Sequence, residues 1–193
     1  MIPTLTTERL TLRAPRLTDF EAHAEFRASD RASFVGGPDD RARAWSHFTG
    51  LAGQWLLRGY GRWVVADRDS DAPLGVVGLH HPDDWPEPEL AWSVYETGEG
   101  RGLAQEAALA ARDYAYATLG WSTLISFVDP ANARSLALAE RLGCRADGIY
   151  DHPRFGPFHV MRHPGPPHLA ENTSDRPRQD MPGADTAAER TIR

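Results

Sequence analysis

Residues 95–115, YETGEGRGLAQEAALAARDYA, set three glycines in alternation directly against an alanine-rich run. From Gly102 onward, Leu103, Ala107, Ala110, Tyr114 and Ala117 recur at helical spacing, which predicts an amphipathic helix. The small side chains of that stripe predict a close approach to a sheet. A glycine turn feeding a helix leaves several backbone N–H groups unpaired and keeps side chains out of their way, an arrangement suited to gripping an anion. Two phosphate signatures are excluded. A dinucleotide fingerprint starting at Gly98 or Gly100 requires glycine at 103 or 105, where the chain has Leu103 and Gln105, and no Lys-Ser/Thr pair follows the last glycine as a Walker A loop demands.

Working outward, three strand candidates precede the turn: RWVVADR, APLGVVGLH and ELAWSVY. An Asp/Ser-rich turn and the Pro-rich HPDDWPEPE separate them, and such short connections predict an antiparallel meander. Before these, ERLTLRAP alternates Leu10 and Leu12 with polar neighbours as a half-buried strand does. Thr18, followed three residues later by Glu21, has the form of a capping box and predicts the start of a helix. Ala44, Phe48, Leu51 and Trp55 predict a second helix that two glycines end. After the glycine-led helix come a strand in STLISFV, a helix in NARSLALAERLG and two last strands in CRADGIY and FHVMRH.

The chain has 193 residues, enough for one domain with a sizeable core, expected over residues 1–163. Residues 164–193 are Pro-rich and polar and are expected to form a disordered tail. A net charge of −6 argues against general nucleic-acid binding. The single Cys144 excludes an internal disulfide and a multi-cysteine metal site. The start, MIPTLTTERLTLR, lacks the form of a secretory signal, and the sequence contains no apolar run long enough to span a membrane. These features predict a soluble, cytoplasmic protein that binds no metal.

The segment EGRGLAQEA resembles the acyl-CoA pyrophosphate loop of the GNAT N-acetyltransferase superfamily, usually Gln/Arg-x-x-Gly-x-Gly/Ala. Gly102 and Ala104 fit its last two defined positions, while Glu99 departs from the first. DPANARSLALAERLGCR is similar to the family's later segment, in which an Asn opens a helix that closes on Leu-Gly, here Asn132 and Gly143. TERLTLRAP and GRGLAQEA look most like the ribosomal-protein N-terminal acetyltransferase (RimJ/RimL-like) branch. The resemblance covers about residues 8–162. It implies an α+β fold, with a mixed, mostly antiparallel central sheet and helices on both faces, and acetyl-CoA as co-substrate. The implied reaction is direct acetyl transfer to a primary amine, on a small molecule or a protein N-terminus. The implied partner is that amine acceptor, with a homodimer also admitted and neither nucleic acid nor membrane expected.

The resemblance also implies site residues. Backbone around Glu99, Gly100, Arg101, Gly102, Leu103 and Ala104 would wrap the pyrophosphate. Ser93, Val94 and Tyr95 would border the pantetheine arm where two strands splay, Asn132 would bond that arm while capping its helix, and Arg101 and Arg134 would meet phosphates. An amine must lose a proton before it attacks, and Glu89, at the start of the strand leading into the loop, is the candidate base. His80 and His81 are alternatives, since imidazole has the better intrinsic pKa. Many relatives place a tyrosine seven residues after the Asn, as an acid for the leaving thiolate. That position is Ala139 here, so Ser135, one turn beyond Asn132, is the candidate donor and Tyr150 a reserve. Cys144 and the tryptophans at 45, 55, 85 and 92 read as core. Rival readings are a non-catalytic acyl-CoA sensor, which needs no base, and a nucleotide-dependent enzyme.

Overall fold

A computed structural model describes residues 1–166, and the expected tail lies outside the described residues from residue 167 onward. Eight strands, β1 (Leu5–Thr6), β2 (Leu10–Arg13), β3 (Arg62–Asp67), β4 (Pro73–His80), β5 (Glu89–Val94), β6 (Ile125–Val128), β7 (Arg145–His152) and β8 (Gly156–Arg162), form one sheet in the order β1-β2-β3-β4-β5-β6-β8-β7. Four α-helices accompany it: α1 (Phe20–Ala28), α2 (Arg41–Arg58), α3 (Leu103–Ala117) and α4 (Ala133–Arg141). Every neighbouring pair of strands is antiparallel except β5 and β6, which run parallel. The expected mixed, mostly antiparallel α+β architecture is present, with β1 as an addition too short for its pattern to signal.

Strand alternation sorts the core onto the two faces of the sheet. Trp63, Val65, Val77, Leu79 and Leu90 join Leu10 and Leu12 in a core against α3. Val76 on the opposite face meets Phe20, Phe26, Phe48, Leu51 and Tyr95 beneath α1 and α2. The α2 stripe is the expected one, with Ala44, Phe48, Leu51 and Trp55 buried.

Two local expectations are corrected. The buried seam of α3 is Leu103, Ala107, Ala108, Ala111 and Ala115, so the packed face is turned toward the smallest side chains. Ala110 and Tyr114 flank it and Ala117 is exposed. The Thr18–Glu21 capping box does not form. A short 3-10 turn over Leu17–Asp19 precedes α1, and the Asp19 carboxylate accepts the Arg16 backbone N–H at 2.8 Å. Asp19 is held there by the buried Arg13 guanidinium through both carboxylate oxygens, at 2.8 and 2.9 Å, while Glu21 pairs with Arg41. A buried bidentate ion pair outweighs a hydroxyl cap.

The feature that positions the site is the parallel junction. β5 and β6 pair at one residue pair, Glu89 with Ile125, and then diverge. The Ser126 hydroxyl crosses the start of this split to donate to the Leu90 carbonyl at 2.6 Å, and buried His163 lies 3.0 Å from the same hydroxyl oxygen through Nε2. Since that hydroxyl proton is committed to Leu90, Nε2 donates, and Nδ1, buried without a partner among the described residues, has no acceptor for a second proton. Burial pulls the His163 pKa down to about 3.

A histidine whose folded pKa lies below its unfolded value near 6.5 costs stability as pH falls through that unfolded value, because only the unfolded chain takes up the proton. The expected loss from this group is about 1 kcal/mol between pH 7.5 and 5.5. His163→Gln, which keeps a donor and cannot titrate, is expected to show a smaller fall in Tm over that interval than the unaltered chain, as thermal melts at the two pH values would reveal.

Candidate active site

The glycine turn follows β5 and a single 3-10 turn, Glu96–Gly98. Gly100 and Gly102 sit in the left-handed region with φ of 72° and 74°, and Gly102 is the N-cap of α3. This conformation is costly for residues with a Cβ. Its result is that the backbone N–H groups of residues 100–105 have no hydrogen-bond acceptor among the described residues. They stand at the positive end of a 15-residue helix. A groove of about 440 Å³ opens over them, walled by Ser93, Val94, Glu99, Gly100, Gly102, Leu103 and Ala104 on one side and by Asn132, Arg134, Ser135 and Leu138 of α4 and its entry on the other.

The split between β5 and β6 supplies the groove's inner end. Tyr95 N–H bonds the Leu74 carbonyl at 2.8 Å, so residues 89, 91, 93 and 95 direct their backbone groups at β4. Trp92 and Val94 therefore direct theirs into the gap, where β6 has already turned away. Unpaired strand edges of this kind recognise extended, amide-bearing ligands through main-chain bonds. The residues present thus fit the pantetheine and diphosphate of a CoA thioester.

A second cavity, of about 420 Å³, lies on the α1/α2 side of the sheet and includes Glu89, Arg62, His23, His80, Trp85 and Phe155 among its walls. The two cavities share Trp92, Ser93, Asn132 and Ser135, with Phe26, Phe34 and Val35 also common to both, so they meet between β5 and the start of α4 beside the segment that follows α1. Glu89 is buried in the wall of the second cavity, three residues before Trp92 on the same strand. Its Oε1 accepts the Trp85 indole N–H at 3.0 Å and its Oε2 accepts the Phe127 backbone N–H at 3.0 Å. Burial drives its pKa up to about 7, against the two N–H donors and the neighbouring Arg62 charge, which pull it down. The carboxylate is fixed in place and half ionised near neutral pH.

Asn132 Oδ1 accepts the Ser135 backbone N–H at 3.1 Å, capping α4 as expected and leaving its amide nitrogen for the groove. Ser135 Oγ accepts the Trp92 indole N–H at 3.1 Å. With that lone pair occupied, the hydroxyl proton is free to be donated at the junction. Ala139, at the position where a tyrosine was noted to be missing, is fully buried against Val128 and Met161.

Other expected residues are placed elsewhere. Tyr95 turns its side chain into the α1/α2 core, Arg101 reaches back toward Asp67 at 3.7 Å, and neither lines the groove. Glu99 does line it, with its carboxylate paired to Arg31 and to Arg134, the latter at 3.1 Å. His81 lies outside both cavities, bonded to the Tyr60 hydroxyl at 2.8 Å. His80 lines the second cavity, but burial holds it well below the usual imidazole range, which makes it a weak base beside Glu89. The Tyr150 hydroxyl donates to the Asp84 carbonyl at 3.4 Å and reaches neither cavity. Cys144 packs between core clusters, with its thiol pushed up to about 11 by burial. Of the four tryptophans read as core, Trp85 and Trp92 are cavity walls and Trp45 is exposed. Arg62 and His23 also line the second cavity and stand in no motif of the sequence. No residue pattern marks a lone Arg at a strand start or a lone His on a short helix as site residues. Among the described residues no cluster of His, Cys, Asp and Glu is arranged for a metal, and no helix is long and apolar enough to cross a membrane.

The family model described as acetyltransferase (GNAT) domain matches residues 9–145. The chain belongs to the GNAT acetyltransferases. Its structure superposes on the crystal structure of an acetyltransferase from Agrobacterium tumefaciens str. C58 with a TM-score of 0.79 and 41% identity, covering 85% of this chain and 95% of that one. The ribosomal L7/L12 α-N-protein acetyltransferase RimL, solved in complex with coenzyme A, shares the fold at a TM-score of 0.65 and 17% identity, over 83% of this chain and 96% of that one. In sequence, an uncharacterized protein of Bacillus subtilis (strain 168), YkkB, is 27% identical over 124 residues, 61% of this chain and 70% of that protein.

Gly102→Ala forces a side chain into the left-handed conformation although only Arg9 Nη2, at 3.8 Å, lies near the added Cβ. Relief of the strain would turn the first N–H groups of α3. The expected outcome is about 1 kcal/mol of lost stability and CoA affinity weaker by about tenfold, read by denaturant titration and by calorimetry with CoA.

Proposed function

We propose that this chain transfers the acetyl group of acetyl-CoA directly to a primary amine, and that Glu89 is the general base. The observation that carries the reading is the meeting of the two cavities at Trp92, Ser93, Asn132 and Ser135, with the Glu89 carboxylate in the wall of the second cavity. Acetyl-CoA, when bound, supplies the thioester whose carbonyl the amine attacks. The amide groups of residues 100–105 bind its diphosphate, and the Trp92 and Val94 backbone together with the Asn132 side chain orient the arm. Glu89, at a pKa near 7, takes the proton that the ammonium must lose, directly or through one water. Ser135 holds a proton at Oγ for the departing sulfur. Cys144 lies in neither cavity and keeps its proton at neutral pH, which favours direct transfer over a covalent acetyl-cysteine.

The likeness to ribosomal-protein α-N-acetyltransferases keeps a protein N-terminus among the acceptors, alongside a small-molecule amine. A single cysteine and acetyl-CoA as co-substrate fit a cytoplasmic setting. The test is incubation with acetyl-CoA and a mixed pool of amines and peptides, with mass detection of acetylated products. CoA binding without turnover on any acceptor would favour the sensor reading instead.

Glu89→Gln is expected to lower kcat by about 100-fold or more, with CoA affinity unchanged in calorimetry. In the unaltered enzyme kcat should rise with pH through an apparent pKa near 7 as Glu89 deprotonates. That limb should vanish in the variant. Ser135→Ala should slow single-turnover transfer by about tenfold, with equal rates reducing its hydroxyl to a structural partner of the Trp92 indole.

A further inference from the structure

The proposed transferase reading leaves the acceptor's chemistry open, and the second cavity carries information about it. Its walls contain a cation, Arg62, that makes no direct ion pair among the described residues, although it lies within the electrostatic reach of Glu89. Arg62 opens β3, and its neighbours across the sheet, Gly78 on β4 and Ala91 on β5, place no long side chain beside it. The guanidinium is half-buried and lines the cavity, yet none of its nitrogens has a hydrogen-bond or ion-pair partner among the described residues. The interior arginines elsewhere are treated differently. Arg13 is locked to Asp19, and Arg27 donates to Asp39 at 2.7 Å. A guanidinium that faces a cavity with no protein acceptor is placed to receive an anionic ligand.

The carboxylates around the same cavity are already engaged. Asp84 bonds His152 at 3.2 Å, Asp129 accepts the Ala131 backbone N–H at 2.8 Å, and Glu89 is held by Trp85 and Phe127. A second unsatisfied group points the same way. His23 Nε2 is buried in the cavity wall without a partner, while its Nδ1 lies 3.0 Å from the Tyr95 hydroxyl. Among the described residues that imidazole is the one acceptor within reach of the hydroxyl, so Tyr95 donates to Nδ1 and the ring proton sits on Nε2. The wall thus presents a guanidinium and an imidazole N–H, both lacking an acceptor. Arg62 keeps its charge, burial lowering its pKa only to about 10. Its field adds to burial in lowering the pKa of His23, His47 and His80.

We infer, building on the transferase reading above, that the acceptor is an amine that also carries a carboxylate, of the amino-acid class, with the carboxylate docked on Arg62 and the His23 N–H and the amine turned toward Glu89. Such a ligand completes both unsatisfied groups and leaves Glu89 free for the proton.

The test compares matched acceptors in acetyl-CoA consumption: α-amino acids, their primary amides and their decarboxylated amines, with peptides bearing an acidic or amidated first residue as a separate arm. Carboxylate-bearing acceptors are expected to exceed their neutral counterparts in kcat/KM by about 30-fold, and the two arms show whether the source is a free amino acid or a peptide. Arg62→Gln should abolish that preference, read as the acid-to-amide ratio of kcat/KM within each enzyme at a pH above its Glu89 limb, and Arg62→Lys should restore part of it. Equal turnover of acids and amides overturns the inference. So does an Arg62→Gln loss shared equally by all acceptors with a shifted pH profile, which would make Arg62 a modulator of Glu89 alone. If no acceptor is turned over, binding of N-acetyl amino acids against N-acetyl amines in the presence of CoA decides. Carboxylate-dependent binding lost in Arg62→Gln upholds the inference while the transfer reading fails, and binding without that dependence, or no binding, overturns it.

Discussion

The arrangement rests on one parallel junction that pairs at a single point and then opens. A buried backbone amide or carbonyl needs a partner, and two strands that part company strand theirs. Here the first two groups past the split are satisfied by side chains reaching across it: the Ser126 hydroxyl bonds Leu90, and the Glu89 carboxylate bonds the Phe127 N–H. Beyond them nothing from β6 answers Trp92 and Val94, and the groove begins. The residue cast as base is therefore also the strut at the apex of the split. That dual role explains how a carboxylate is tolerated in the interior with its pKa raised to about 7. Two N–H donors hold it rigidly, while burial keeps it reluctant to ionise.

Charge is distributed in a complementary way around the two cavities. At the groove, six unpaired N–H groups and Arg134 face outward, and Glu99 occupies Arg31 and Arg134. On the other side, hydrophobic and aromatic walls surround Arg62 together with His23 and His80, whose pKa values burial lowers. Water is a poor competitor in such an enclosure, so each remaining polar contact discriminates more strongly than it would at the surface.

Much of the fold was legible because its determinants are local. The meander β3-β4-β5 follows from short turns between alternating runs, α2 from the spacing of Ala44, Phe48, Leu51 and Trp55, and the α4 cap from Asn132. What was not legible depends on residues far apart in the chain. Asp19 displaced Thr18 as the organising group at α1 because Arg13, on the neighbouring strand, grips it. The seam of α3 shifted because the sheet selects the flattest face of an alanine-rich helix, and periodicity alone cannot rank alanines. Glu89 could be named from its place in β5, but its Trp85 partner sits in a Pro-rich turn read as mere connection. Arg62 and His23 converge on the cavity only once β3 and α1 are assembled around it, and neither neighbourhood in the sequence contains a signal for that.

The alanine seam of α3 has a consequence for how such a chain can diverge. Ala107, Ala108, Ala111 and Ala115 are each 0% exposed, so a methylene added at any of them would lift the helix axis from the sheet. The helix carries the glycine turn at its amino end, and a lift of a fraction of an ångström there moves every unpaired amide of that turn. Sequence drift along this helix is thereby confined to its outer face, and the interior positions are bound to small side chains by the geometry of the turn at its tip as much as by the core beneath it.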